Sequence, residues 1–163
     1  MKIVTLLPYK EDYTPRYSGA VSIHVSSLIK FSKFEKSMYV YGNTSNRKFL
    51  SDNYNNVKIK KSLLKSNNKA YLEKFIKLNT NNQPDIIEIH NRPSYISLLR
   101  RKLNSKIIIY FHNNPLLLSG SKTKTERLFL LENCDYIFFN SNWTKNKFFE
   151  NISETQYISK FGI

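Results

Sequence analysis

Two hydrophobic rhythms alternate along the chain. Strand-like runs rich in β-branched and aromatic residues at 3–7, 38–41, 57–60, 85–89, 106–111 and 135–139, with a weak one at 156–159, are separated by stretches of helical spacing. Unbroken β-branched and aromatic runs predict strands buried on both faces, as in a parallel sheet, whereas recurrence every three or four positions predicts helices packed through one side. Helices are expected from 20 to about 34, with Val21, Val25, Leu28 and Ile29 on one side, and at 70–78, 93–103, 122–133 and 142–150. Pro93 suits a first helical turn, and Asn140-Ser141 suits an N-cap. The intervening 8–19, 43–56, 79–84 and 113–121 are polar or carry breakers, with 43–56 read as a loop or short helix. Such alternation predicts right-handed βαβ units in a Rossmann-like three-layer α/β/α sandwich with a mostly parallel sheet. No repeat or linker divides it, so residues 1–163 are expected to form one domain.

Two of these strands run straight into a histidine. The 85–89 run delivers His90-Asn91-Arg92-Pro93, and the 106–111 run delivers His112-Asn113-Asn114-Pro115. Open parallel sheets bind ligands beyond the carboxyl ends of their strands, so His90, Arg92, His112 and Asn113 are candidates for a small-molecule site. Arg92 has the geometry to pair with a phosphate or carboxylate, and equally reads as a surface arginine before proline. Gly19 and Ala20, at the start of the first helix, place free N–H groups where a diphosphate could approach; a glycine that merely serves a tight turn is the alternative. His112, Gly19 and His90 are expected to border one cleft. Ser141 is expected to cap its helix and present the same helix start to a ligand. His24 reads as a core or edge histidine, and Trp143 as a packing residue.

Composition narrows the class. With 40% hydrophobic and 14% aromatic residues over 163 positions, the chain should fold and bury a core. Its single cysteine, Cys134, excludes an internal disulfide, fits a reducing compartment and is expected to pack as a small apolar group. Residues 1–9 do not read as a signal peptide and no run is long enough to span a bilayer, so a cytoplasmic protein is expected. Three histidines and one cysteine, with no carboxylate at helical spacing to either strand-end histidine, argue against a metal site. The Asn-x-Ser/Thr matches at Asn43, Asn142 and Asn151 read as chance in an Asn-rich chain. Net charge is +14, from 26 basic and 12 acidic residues. Such a surface attracts anions, including lipid headgroups at the inner face of a membrane. The clusters Lys58-Ile59-Lys60-Lys61 and Arg100-Arg101-Lys102 lack the interleaved aromatics of a single-strand binder, which argues against nucleic acid.

Four segments, in order, carry a resemblance. Ser18-Gly19-Ala20-Val21-Ser22-Ile23-His24-Val25 looks like a glycine loop entering a helix. Pro84-Asp85-Ile86-Ile87-Glu88-Ile89-His90, Ile108 to Asn113, and Cys134-Asp135-Tyr136-Ile137-Phe138-Phe139-Asn140-Ser141-Asn142-Trp143-Thr144 follow it. Together they resemble the N-terminal domain of family-4 (group 1) glycosyltransferases, which have the two-domain GT-B fold. Ala20 departs from that family's usual Gly-Gly pair. The resemblance implies the acceptor-side half of a retaining transferase that moves a hexosyl unit from a UDP- or GDP-sugar to a saccharide or lipid-linked acceptor, with no cofactor and no essential metal. It implies that His112 contacts the transferred sugar or its leaving phosphate. It also implies that donor binding belongs to a C-terminal domain, supplied in cis or trans, without which this half is inactive. Two rival functions remain: a non-catalytic α/β binding or membrane-recruiting module, and a basic nucleic-acid-binding domain.

Overall fold

Seven strands and five α-helices form among residues 1–45, 48–59 and 66–163, which the computed structural model describes. The chain divides into two units, 1–85 and 86–163. Within each, every strand pairing is parallel. The expected Rossmann-like α/β class is what forms.

In the first unit, β1 (Ile3–Leu6), β2 (Met38–Gly42) and β3 (Tyr54–Asn56) lie in the order β3-β2-β1. Two helices accompany them, α1 (Ala20–Phe31) and α2 (Asn67–Asn79). Ser66 caps α2 by accepting from the Lys69 N–H, starting the helix before the expected position. From α2, the buried Tyr71 hydroxyl donates toward the carbonyls of Leu7 and Tyr41 at 3.0 and 3.2 Å, and Phe75 meets Tyr41 edge-on. The α1 helix stops at Phe31, short of the expected 34. Ser32 turns extended and its hydroxyl accepts from the Phe34 N–H, a local bond that competes with helix. The edge strand also differs from expectation: β3 ends at Asn56, and of the 57–60 run residues 57–59 form no strand while Lys60 lies outside the described residues. Tyr54 anchors it by stacking on Tyr13, and the Asn56 side chain bonds the backbone of Thr44, so polar residues serve at an edge.

The second unit orders β4 (Ile86–His90), β5 (Lys106–Phe111), β6 (Tyr136–Phe139) and β7 (Phe161–Gly162) consecutively. Ile87, Ile89, Ile107, Ile109, Phe111, Ile137 and Phe139 fill one face and are all buried. The helices of this unit are α3 (Ile96–Lys102), α4 (Lys124–Asn133) and α5 (Asn142–Phe148). Phe148 of α5 packs against Phe111 and Phe139, a burial worth about 1.5–3 kcal/mol. Thr123 and Glu126 cap α4 reciprocally. The opposite face is less covered: Ile108, Tyr110, Tyr136 and Phe138 are only half-buried, so of the strands expected to be enclosed on both sides, β5 and β6 are open on one. The weak run at 156–159 is part of a 3-10 turn (Glu154–Lys160), and the strand follows it. Phe161 pairs with Ile137 and packs on Phe139 and Phe149, contacts that the residues before it do not offer.

Candidate functional site

The strand-end histidines of the second unit meet. His90 Nδ1 and His112 Nε2 lie 2.8 Å apart with their rings nearly parallel. His90 ends β4 and is fully buried; His112 follows β5 and is half-buried. A nitrogen-to-nitrogen bond of this length holds one proton, so one ring donates and the other accepts. The pair therefore survives with at most one of its two rings protonated.

Asn91 fixes the backbone around them. It adopts the left-handed conformation (φ 51°), which Asn tolerates better than most residues. From there its Oδ1 accepts from the N–H of His112 at 2.9 Å and of Asn113 at 3.3 Å. On the other side, Asn140 donates through Nδ2 to the His112 carbonyl at 2.9 Å, and its Oδ1 accepts from the Thr144 hydroxyl at 2.6 Å. Ser141 accepts from the Thr144 N–H as the cap of α5. The ends of β4, β5 and β6 are thus tied into one polar edge, which brings together His90, His112, Asn113 and Ser141. Arg92 is at the same strand end, where its Nη1 donates to the Asn91 carbonyl. Asn91, Asn140 and Thr144 were not among the sequence candidates.

A stacked row backs this edge. His90, Tyr110 and Phe138 are cross-strand partners whose stacked rings lie 4.7 and 4.8 Å apart with nearly parallel planes. Burial, and then the charge of Glu88, push the Tyr110 hydroxyl well above its ordinary range, so it stays protonated. Glu88 is itself buried, two residues before His90 on the same strand face. Trp143 corrects an expectation: its side chain is 55% exposed instead of packed. Position N2 of a helix start points its side chain outward when the cap, here Ser141, and Thr144 face inward.

In the first unit, Gly19 and Ala20 begin α1 as expected, but an anion from the chain already sits there. Glu11 Oε1 accepts from the Ser22 N–H at 3.0 Å, and a Cβ on Gly19 would come within 2.6 Å of that oxygen. Glycine at 19 makes room for a carboxylate. His24 is exposed on α1, and Leu28 with it, while Val21, Ser22, Val25 and Ile29 form the buried side.

The two basic clusters differ in what they do. Arg100 is spent internally, bonding the carbonyls of Asn133 and Ser105 and the carboxylate of Asp135. Lys60 and Lys61 lie outside the described residues. Among the described residues no three His, Cys, Asp or Glu side chains are grouped to hold a metal ion. Cys134 is buried, which pushes its thiol up to about 12.

Against this geometry, two solved structures are similar across nearly the whole chain. One is a crystal structure of Anabaena Alr3699/HepE in complex with UDP, with TM-score 0.63 at 11% identity over 99% of this chain and 43% of that one. The likeness shows the fold. The other is a crystal structure of UDP-N-acetylglucosamine 2-epimerase, with TM-score 0.55 at 14% identity over 96% of this chain and 46% of that one. The chain spans less than half the length of either protein. Its sequence matches no protein-family model and no curated protein.

Proposed function

We propose that the chain is the acceptor-side half of a nucleotide-sugar-dependent glycosyltransferase of the GT-B type. The retaining course, the hexosyl unit, the UDP- or GDP-linked donor and the saccharide or lipid-linked acceptor all belong to this proposal. The observation that carries it is the histidine pair at the carboxyl ends of β4 and β5, where a parallel sheet binds its ligands. The fold shared with a UDP complex supports it, as do the family-like segments around Gly19, His90, His112 and Ser141.

In this reading His90 Nδ1–H donates to His112 Nε2. A neutral His112 then carries its own proton on Nδ1, a fixed donor for the transferred sugar or the leaving phosphate, where negative charge develops. Arg92 and Asn113 offer further polar groups beside it, and Ser141 a hydroxyl. Gly19 and Ala20 serve a phosphate only if Glu11 yields its place on α1.

The test uses the chain joined to, or mixed with, a donor-binding domain that completes it. His112→Ala is expected to lower kcat and kcat/KM together, by roughly 10²–10³-fold for a lost preorganised donor. Melting should fall only by what the buried His90 Nδ1–H loses with its partner, about 1–3 kcal/mol. Near-normal kcat in a variant that melts early would make His112 structural, and a completed protein that turns over no sugar nucleotide would overturn the proposal.

A further inference from the structure

The α1 helix has two apolar sides, and only one of them is used by the core. Val21, Val25 and Ile29 are buried, while Ile23, Leu28 and the terminal Phe31 face solvent, Phe31 at 82% exposure. Phe34, in the turn after α1, and Tyr17, in the loop before it, are exposed as well. Each of the three aromatic rings has a cation over it: Arg16 at 5.3 Å from Tyr17, Lys30 at 5.7 Å from Phe31, and Lys33 at 5.1 Å from Phe34. No acidic residue lies within α1, and Glu35 is the one acid between positions 16 and 36.

We propose that this outward face of α1, with its flanking turns, docks onto anionic lipid headgroups. Aromatic rings beside cations suit the boundary between headgroup and acyl chain, where the ring enters the apolar layer and the ammonium stays among phosphates. A second copy of the chain fits poorly, because a two-fold contact would set like charges against like. Single-stranded nucleic acid would use the rings for stacking but has no use for Ile23 and Leu28, whereas acyl chains bury them. This goes beyond the transferase reading and does not depend on it.

Co-sedimentation with vesicles of phosphatidylcholine, with and without phosphatidylglycerol, tests it. The chain is expected to partition onto the anionic vesicles only. Lys30→Gln/Lys33→Gln should weaken that partition about five-fold for each lysine, and Phe31→Ser/Phe34→Ser about tenfold, both with unchanged circular dichroism melts. Arg101→Gln/Lys102→Gln, in the second unit, should leave it near the unmodified value. Equal binding to both vesicles, binding to neither, or an equal loss in the Arg101/Lys102 variant would overturn the proposal. So would a dimer, or oligonucleotide binding, that disappears in the phenylalanine variant while vesicle binding does not. No sugar nucleotide enters the assay, so its result stands apart from the transferase test.

Discussion

Asn91 does more for the strand-end edge than either histidine, and nothing in its immediate neighbours announces it. Its backbone is left-handed, and its side chain bonds two N–H groups 21 and 22 residues further on. Asn91→Ala removes both bonds and leaves a Cβ residue at positive φ, an expected loss of about 2–3 kcal/mol in urea unfolding. Asn91→Gly relieves the backbone but not the bonds, so it should lose about half as much. The histidines were legible because each ends an isoleucine-rich run, broken in β4 only by Glu88. Asn91, Asn140 and Glu11 were not, because their roles are set by backbone angle and by partners distant in sequence, which a hydropathy pattern does not carry.

At the scale of elements, β5 appeared in the sequence with its true ends, since Lys106 opens it and His112 follows five apolar residues. The edge strands β3 and β7 were shifted or missed. An edge position buries less and accepts Asn or Gly, so hydrophobicity stops marking it. Between the elements, Gly120 is a fixed point. It sits at φ 94°, and a Cβ there would come within 2.6 Å of the Ser94 backbone nitrogen, beside the 3-10 turn (Pro93–Tyr95) that follows Arg92. Neither atom group can swing away. Gly120→Ala is therefore expected to cost about 2–3 kcal/mol, visible as a lowered Tm, whereas Gly19→Ala meets only a movable Glu11 carboxylate and should cost less.

For the whole molecule, two carboxyls are held below their ordinary values, Glu126 by the Thr123 N–H in the α4 cap and Asp135 beside Arg100, and Asp135 is the one tied between strands. Burial alone would raise its carboxyl, but the Ile107 N–H at 2.8 Å and the Arg100 guanidinium outweigh that and hold it below its ordinary 3.8. A lowered folded-state value means the interaction stabilises fully above the unfolded value and is lost as pH falls through the folded one. This contribution should thus be intact down to about the ordinary carboxylate range and be lost in more acidic solution. Asp135→Asn should flatten that slope, as measured by chemical unfolding across pH; an unchanged slope would place the acid sensitivity elsewhere. Partial exposure of the pair keeps the effect small. The α/β class itself was readable because strand and helix rhythms alternate without a break.

The chain has a single tryptophan, Trp143, and the fold leaves it in water three residues after Asn140, whose amide holds the His112 carbonyl. All indole fluorescence therefore originates beside the strand-end edge. The folded chain should emit at long wavelength and be open to quenching by acrylamide, with little change on unfolding. A sugar or nucleotide that covers this edge would shift the emission to the blue and shield it from quencher. The protein thus carries its own unlabelled optical reporter, set at the place where a ligand is expected and nearly silent elsewhere.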